Sequence, residues 1–327
     1  MIPLRRLPCI LGLGGALVLA ANPPETITFT GMCDASAAAA VDAERFIVAD
    51  DEDNVLRVFH RRGGPALSSQ DLSAFLGNEG KKKPMEADLE AAAPIGDLVF
   101  WITSHGRNSK GKEQPNRQRL FATAVYVDGG KVTIAPRGRP YHDLLDDLLA
   151  DPRLKDFDLA EAAQLAPKAP GGLNIEALAT TPDGHLLIGF RNPVRDGRAI
   201  VVPLLNPKEV IQGQKARLGP HVVLDLGGFG LRSMEYCAGR YILIAGAPGE
   251  GGGASRLYEW DGKGAPKVIP GVTLSGLNPE GVAFHDGDGT GEYFILSDDG
   301  VRNVEGQNCK DLKDPTQKRF RGRVVTF

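Results

Sequence analysis

Short apolar runs alternate with polar turns along this chain, and one such unit recurs five times. In the clearest copy, a polar entry at Asn174 and Glu176 leads into an apolar run, a turn at Asp183, and a second run that ends at Arg191 and Asn192. Runs of this length between Gly- and Pro-containing turns predict antiparallel strands. The other copies begin with the tetrapeptides Asp34-Ala35-Ser36-Ala37, Asp88-Leu89-Glu90-Ala91, Ser233-Met234-Glu235-Tyr236 and Asn278-Pro279-Glu280-Gly281. Self-similarity at intervals of tens of residues is typical of a solenoid or a propeller.

Each unit offers about four strands, so the pattern predicts an all-β chain, a five-bladed β-propeller formed by residues 22–327 as one domain. The fifth unit supplies only three strands, whereas the strand Ile27–Phe29 precedes the first unit. We therefore expect this N-terminal strand to complete the last blade and close the ring, because closure removes unpaired strand edges. A leucine pattern over about residues 141–165 predicts a helical insert, either a packing helix between two units or a lid.

The first residues differ from the rest of the chain. Arg5 and Arg6 precede an apolar run that ends in small residues near Ala20, which predicts a signal peptide over residues 1–21 and a secreted or periplasmic protein. The alternative is a retained membrane anchor. In an oxidising compartment, ring closure would bring Cys33 and Cys309 to the same blade and permit a disulfide, with Cys237 as a buried thiol.

Charge narrows the range of partners. The chain carries a formal net charge of -3, and nucleic acids and anionic membranes call for a strong basic field. We therefore expect a small anionic ligand or a protein partner, no nucleic acid, no membrane after signal cleavage, and a monomer.

In a propeller, the entries of the inner strands and the ends of the second strands share one face. That face would gather many carboxylates at the mouth of the central channel. Converging carboxylates repel one another unless they are protonated, paired with Arg or bound to a cation, and sites with oxygen ligands alone suit Ca²⁺ or Mg²⁺. The predicted metal ligands are Glu90, Glu176, Glu235 and Glu280. The alternative is that each entry residue bonds the backbone of the neighbouring blade and only fixes the spacing of the blades.

The loop Ser104–Arg119 is rich in Lys and Arg, and Arg binds phosphate and carboxylate groups in a bidentate manner. The predicted ligand-binding residues are Arg107, Asn108, Arg191, Asn192, Asp50, Asp51 and Asp298. The predicted catalytic residues are His105, as general base, and Glu176. The leading hypothesis is a cation-dependent hydrolase of an anionic phosphate or lactone-type ester. The alternative is a propeller that binds a ligand or a protein without catalysis.

Three stretches carry a family resemblance: residues 34–59, the segments around Glu90, Trp101 and Leu120, and residues 173–193. They resemble an uncharacterised bacterial family, the domain-of-unknown-function family numbered 3616. More distantly, the layout is similar to phytase-like and gluconolactonase-like propellers. Those relatives imply calcium and carboxylates at the channel mouth, and no catalytic residue of theirs can be matched to a position in this chain.

Overall fold

The protein is described by a computed structural model, which covers residues 2–3, 26–249, 254–285 and 292–326. The chain is 47% strand and 11% helix and forms five blades in a ring, a five-bladed β-propeller. The predicted fold class is therefore confirmed. The predicted signal peptide, except residues 2–3, and the predicted hairpin at Asp286–Gly291 lie outside the described residues. Among the described helices, none has the length and apolar character needed to cross a bilayer.

Each blade is an antiparallel sheet of four strands, with the first strand at the channel and the last at the outer edge. Blade 1 contains Ala35–Ala40, Arg45–Asp50, Val55–His60 and Ser68–Asp71. Blade 2 contains Leu89–Ile95, Leu98–Thr103, Leu120–Asp128 and Lys131–Tyr141. Blade 3 contains Asn174–Thr180, Leu186–Asn192, Arg198–Leu204 and Val222–Asp225. Blade 4 contains Gly230–Cys237, Arg240–Gly246, Arg256–Trp260 and Lys267–Val268.

Blade 5 closes the ring as the sequence predicted. Its first three strands are Pro279–His285, Glu292–Ser297 and Arg319–Val325, and its outer strand is the N-terminal Thr26–Thr30. The disulfide Cys33–Cys309 links the segment after the N-terminal strand to the segment before the last strand, and Cys237 is buried and not disulfide-bonded to any described cysteine. Both cysteine predictions are confirmed.

A few short elements lie outside the four-stranded pattern. Two-residue strands are found at Ile2–Pro3, Gly64–Pro65, Asn303–Val304 and Gln307–Asn308. The α-helices are Ser73–Leu76, Leu144–Ala150, Leu159–Ala162 and Pro207–Val210. The 3₁₀ helices are Pro115–Arg117, Pro152–Phe157 and Cys309–Asp311.

The apolar core is divided among the interfaces between blades. One hydrophobic cluster lies at each of the five interfaces. Between blades 5 and 1, Phe29 stacks on Phe320 at 4.7 Å between ring centroids and meets Phe46 edge-on at 5.4 Å. Such pairs add about 0.5–1.5 kcal/mol each beyond the burial of their surface. The closing strand is therefore held by packing as well as by its backbone ladder.

The helical insert packs into the cluster between blades 2 and 3. Leu144, Leu145 and Leu148 are buried there, which corresponds to the packing-helix alternative. Two residues depart from the predicted helix faces: Leu149 is exposed, and Asp147 is buried. The carboxylate of Asp147 accepts hydrogen bonds from the Tyr141 hydroxyl and from the backbone amide of Ala216, which explains how it tolerates burial.

Candidate cation site at the channel mouth

A β-bulge near the start of every inner strand builds the channel mouth. In blade 1, Ala35 pairs with Asp50 and Ala37 with Ala49, so the residue between them has no cross-strand partner. The same irregularity occurs in all five blades. Because a bulge places two residues opposite one, it redirects a side chain at the same height in each blade. The residues at this position are Ser36, Glu90, Glu176, Arg232 and Glu280, and we call them the bulge ring.

The bulge ring corrects the predicted metal set at one position. In blade 4 the bulge falls at Arg232, between the pairs Leu231–Ala245 and Ser233–Ile244. Glu235 lies three residues further along the strand, away from the channel mouth. There it is near Tyr293 of blade 5: burial, and then nearby charges that include Glu235, raise the pKa of the Tyr293 hydroxyl. The tetrapeptide alignment that placed Glu235 with Glu90 and Glu176 was therefore wrong by three residues. The inner strand of blade 4 begins earlier than its acidic residue suggested.

Four members of the bulge ring are bonded to their neighbours. The Ser36 hydroxyl donates to the Leu89 carbonyl of blade 2 at 2.5 Å. Glu176 accepts a hydrogen bond from Arg191 Nη1 at 2.7 Å, and Arg232 pairs with Glu280 in the next blade. Arg232 Nε also lies 3.6 Å from Glu176 Oε2. Of these, only Ser36 bonds the backbone of the neighbouring blade, as the alternative expected. The acidic members are instead neutralised by arginine, Glu176 by Arg191 of its own blade and Glu280 by Arg232 of the preceding blade.

Glu90 is the exception in the bulge ring. Its side chain is only 9% exposed, yet within the described ranges it forms neither a hydrogen bond nor an ion pair. It faces two other acids instead: oxygen atoms of Asp51, Asp88 and Glu90 all lie within 4.8 Å of one another. One of them, Asp51 Oδ1, is also inaccessible and has no hydrogen-bond partner among the described residues. We call these three residues the carboxylate cluster.

Electrostatics show that the carboxylate cluster is costly to ionise. Burial, and then the charges of Asp298, Glu90 and other nearby acids, raise the pKa of Asp51 well above its usual value. Burial and the neighbouring Glu176 and Asp88 likewise raise the pKa of Glu90. The pKa values of these acids are raised even though Arg117 lies beside Asp88 and Arg191 acts on Glu90. They therefore hold protons at a pH where free carboxylic acids would lose them, unless a further positive charge is bound.

Asp88 has the most constrained position of the three. Its backbone φ is +62°, a left-handed conformation that non-glycine residues seldom adopt. Its Oδ2 accepts a hydrogen bond from the Ser104 hydroxyl and one from Arg117 Nη1 at 2.9 Å. These contacts fix the carboxylate while its other oxygen remains available. Strain of this kind is a recurring feature of functional sites, and here it accompanies a cluster with a specific geometry.

Three of the seven predicted ligand-binding residues form hydrogen bonds that serve the fold. Arg107 donates to Ala163 O at 2.8 Å and to Gln164, so it anchors the helical insert. Asn108 Oδ1 accepts two backbone amides of its own loop. Asn192 Nδ2 donates to two carbonyls of the segment that enters blade 3, at 2.9 and 2.8 Å.

Arg191, Asp50 and Asp298 do lie at the mouth, as predicted. Arg191 reaches Glu176 and the Ala247 carbonyl. Asp50 Oδ1 accepts the amide of Glu52, and Asp298 accepts the amide of Gly300 and the side chain of Asn278. Burial raises the pKa of both Asp50 and Asp298, so they extend the acidic surroundings of the carboxylate cluster.

His105 does not join the carboxylate cluster. Its Nδ1 lies 2.8 Å from the Thr103 carbonyl, which makes Nδ1 the protonated nitrogen. The ring is buried, and this burial lowers its pKa to about 4; the one charge that further lowers it is Arg119. Arg119 donates to Leu76 O and Pro115 O, away from the channel. The imidazole is therefore a neutral group packed behind the loop rather than a base at the mouth.

A cavity of about 530 Å³ opens beside the carboxylate cluster, between blades 1 and 2. Its wall includes Glu52, which follows Asp51, and Glu86, which precedes Asp88 by two residues. Arg117 belongs to this wall and bonds both Glu86 and Asp88, so one guanidinium separates the cavity from the carboxylate cluster. The remaining lining residues are Asp53, Asn54, Val55, Asp71, Ser73, Lys83, Pro84, Met85, Asn108, Gln114 and Asn116.

Sequence reasoning did not identify Asp88 as a member of the carboxylate cluster. It also missed Arg232 and Arg117, the arginines that pair with Glu280 and Asp88. Asp88 was expected at the mouth but not among the metal ligands. The predicted metal ligands were chosen from the Glu residues that recur at the third position of the entry tetrapeptides. The signal that could have identified Arg232 is the strand pattern of blade 4: Gly230-Leu231-Arg232-Ser233 repeats the entry with Arg in place of Glu.

Comparisons with known proteins give a family match and leave the chemistry open. Residues 133–269 match the model of a family described as "Protein of unknown function (DUF3616)", which confirms the resemblance seen in the sequence. A search of curated proteins gave no match.

Among solved structures, the chain is similar to a glutaminyl cyclase from Myxococcus xanthus at 12% identity and a TM-score of 0.44, covering 94% of this chain and 100% of that one. It is similar to a luciferin-regenerating enzyme at 10% identity and a TM-score of 0.45, covering 93% and 95%. It is also similar to a protein of unknown function from Bacteroides caccae at 12% identity and a TM-score of 0.35, covering 84% and 76%. We take no residue role from these proteins.

Proposed function

We propose that the channel mouth binds a divalent cation, Ca²⁺ in the first instance, through Asp51, Asp88 and Glu90, and that the site hydrolyses an anionic ester. The observation that carries the proposal is Glu90: it is buried, unbonded among the described residues, and within 4.8 Å of two further carboxylates. Its counterpart in blade 3, Glu176, accepts a hydrogen bond from Arg191 through Oε1, at 2.7 Å. Four of the five bulge-ring side chains thus bond other residues of the blades, and the fifth, Glu90, is available to bind a ligand.

The chemistry of the donors fits this cation. Three carboxylates offer oxygen atoms alone, which suits Ca²⁺ or Mg²⁺ and not the nitrogen and sulfur preferences of zinc. The nearby Asp298 and Glu280 add further negative charge, which helps to raise the pKa of Asp51. A bound cation would polarise a phosphoryl or carbonyl oxygen of the ester.

The protein's own residues have separate roles around this site. Arg117 holds Asp88 in place and presents a cationic edge to the adjoining cavity, where an anionic group can approach. Glu86, on the same guanidinium, has its pKa raised to about 7, chiefly by burial and by Asp88. A carboxyl with a pKa in this range can exchange a proton near neutral pH, so Glu86 replaces His105 as our candidate general acid or base.

Binding of the cation is tested by the melting temperature of the full chain with Ca²⁺ or with a chelator. A ligand at about 100 times its Kd stabilises a protein by about 2.7 kcal/mol, so the wild-type melting temperature should rise with Ca²⁺. Glu90→Gln and Asp51→Asn should abolish the rise. Glu176→Gln, at the same position in the next blade, and Asp183→Asn, in the exposed turn at the other end, should retain it.

A wild-type protein whose melting temperature is unchanged by millimolar Ca²⁺ and by Mg²⁺ would overturn the cation proposal. Hydrolysis is tested separately, with phosphate monoesters, phosphate diesters and lactones as substrates. Activity that requires Ca²⁺ and is lost in Glu90→Gln supports the catalytic proposal. Cation binding without turnover of any of these classes would indicate the non-catalytic alternative.

A further inference from the structure

The carboxylate cluster between blades 1 and 2 has a partial copy between blades 5 and 1. Asp88 directly precedes the inner strand of blade 2, and Asp34 directly precedes that of blade 1. Asp51 directly follows the second strand of blade 1, and Asp298 directly follows that of blade 5. The pair formed by Asp298 and Asp34 is therefore equivalent to the pair formed by Asp51 and Asp88, moved by one blade around the ring.

Asp34 and Asp298 meet beside Gly300. Their backbones form an isolated antiparallel bridge. A Cβ at Gly300 would lie 1.6 Å from Asp34 Oδ1 and 3.1 Å from Asp298 Oδ1, so both carboxylates border the same small space. The Gly300 amide donates to Asp298 Oδ1 at 2.8 Å, which fixes one of the two acids. Only glycine at this position leaves the Asp34 carboxylate where it is.

Asp34 resembles Glu90 in its lack of partners. The residue is only 5% exposed, and its carboxylate forms neither a hydrogen bond nor an ion pair with any residue that the structure describes. Burial, and then the charge of Asp298, raise its pKa to about 7, although Lys310 acts in the opposite direction. The Lys310 ammonium is instead bonded to Glu52, at 2.7 Å. A buried acid in this position needs a proton or a cation.

The two acidic sites adjoin at Asp51. Among the charges that raise the pKa of Asp51, Asp298 comes first and Glu90 second. Asp51 belongs to blade 1, so it has an acid of blade 5 on one side and an acid of blade 2 on the other. Its Oδ1 is inaccessible and has no hydrogen-bond partner in the described part of the chain.

We infer that a second divalent cation binds between blades 5 and 1, through Asp34 and Asp298, beside the cation proposed for the carboxylate cluster. The inference rests on the proposed function and narrows it to one substrate class. Two cations on either side of Asp51 favour a phosphate ester over a lactone, because paired cations stabilise both the attacking and the leaving oxygen of a phosphoryl transfer.

The second site should be the weaker of the two. Ser36 stands at the position of Glu90, and its hydroxyl already donates to the Leu89 carbonyl at 2.5 Å. The site between blades 5 and 1 therefore offers two carboxylates where the carboxylate cluster offers three. One or two carboxylates suffice for a cation that keeps several of its waters, as Mg²⁺ does, and affinity for Ca²⁺ falls with the number of charged ligands.

Equilibrium dialysis of the full chain against Ca²⁺, with the bound metal counted by atomic emission, tests the inference. We expect two ions per wild-type chain, of which Asp34→Asn should lose one. Gly300→Ala should lose the same ion, because its methyl group would displace the Asp34 carboxylate while both acids remain in the chain. Asp311→Asn, which neutralises an exposed acid of the following loop, is the matched control and should still bind two.

The single variants separate this site from the one in the proposed function. Glu90→Gln should also bind one ion, and the double variant with Asp34→Asn should bind none. One wild-type ion that Glu90→Gln loses and Asp34→Asn keeps would overturn the inference and leave the proposed cation site intact, and a single ion that both variants lose would also overturn it. One ion that only Asp34→Asn loses would support the inference against the proposed site. No bound ion at about 10 mM Ca²⁺, above the Kd of weak extracellular calcium sites, would overturn both.

The substrate class is tested by the same variants in the hydrolysis assays. Asp34→Asn should lose the hydrolysis of phosphate esters at a Ca²⁺ concentration that saturates the wild-type chain. Hydrolysis of lactones alone, or of neither class, by the wild-type chain would overturn the narrowing to phosphate esters, whereas the count of bound ions decides whether the second site exists.

Discussion

Glu90 and Glu176 occupy the same bulge in neighbouring blades, and their surroundings are opposite. Glu176 is bonded to Arg191 and to Asn174 Nδ2, at 2.7 and 2.6 Å, with Arg232 close by. Glu90 faces Asp51 and Asp88. The difference arises at the end of the second strand, where blade 3 supplies Arg191 and blade 2 supplies Ser104. A glutamate at the same bulge is therefore neutralised by arginine in one blade and faces two other acids in the next.

Removing the arginine from blade 3 should have the largest effect. Arg191→Met leaves Glu176 buried with only Arg232 nearby, and breaking a buried ion pair costs about 3–5 kcal/mol. Denaturation by urea should show this loss in the free energy of unfolding. The double variant Arg191→Met with Glu176→Met should recover most of it, because no buried charge then remains. A single variant as stable as wild type would contradict the structural role of Glu176.

The pH dependence should reveal the buried acids around the channel mouth. Burial raises the pKa of Glu280 and of Asp34 to about 7, above their values in the unfolded chain. At a pH between the pKa of these acids in the unfolded chain and their pKa in the folded protein, the acids keep their protons only in the folded protein. The free energy of unfolding therefore falls as pH rises. We expect the chelated protein to lose about 2 kcal/mol from pH 5 to pH 7.5, a value reduced from the full linkage because the acids are coupled. Urea denaturation across this range with and without Ca²⁺ is the measurement, and a loss that Ca²⁺ does not reduce would argue against a cation at the carboxylate cluster.

Glu90→Gln and Glu176→Gln should differ in sign when the cation is absent. The first removes a like charge from an acidic cluster and should stabilise the chelated protein by about 1 kcal/mol at pH 7.5. The second removes the acceptor of Arg191 and should destabilise it by about 2 kcal/mol. Thermal unfolding of both variants with a chelator decides the matter. If both variants shift in the same direction, the two positions are not opposite in role.

The smallest effect should come from Asp183→Asn. Asp183 lies in an exposed turn at the end of blade 3 away from the mouth. Substitutions at such surface positions usually change the free energy of unfolding by less than about 0.5 kcal/mol. A larger change, or any change in the response to Ca²⁺, would show that the two ends of the blade are not independent.

The fold could be predicted from this sequence because its signal is local and repeated. Short apolar runs and turns recur five times, and the unit that lacked one strand identified Thr26–Thr30 as the closing strand. The same reasoning placed Cys33 near Cys309. The register between strands is harder to predict from sequence. In blade 4, one acidic residue led us to align Glu235 with the position that Arg232 occupies in the structure.

The candidate site was predicted in its location but not in its members. Entry and exit residues do share one face, so Asp51 and Glu90 were both expected at the mouth. Which acids lack an arginine depends on contacts between blades, such as Arg232 with Glu280, and these have no counterpart in sequence spacing. The role expected of His105 failed for a similar reason. Its position after a strand suggested exposure, whereas its loop folds back and buries it.

The closing strand also has a consequence for how the chain folds. Thr26–Thr30 pairs with Arg319–Val325, so the ladder that seals the ring joins segments almost a whole chain apart. Contacts of such long sequence separation carry a high loop-closure cost and form slowly. During synthesis, Thr26–Thr30 must wait without its partner while the four complete blades fold one after another. We therefore expect the ring to be assembled in sequence order and sealed last, so that the carboxylate cluster, which lies between blades 1 and 2, can form before the ring closes.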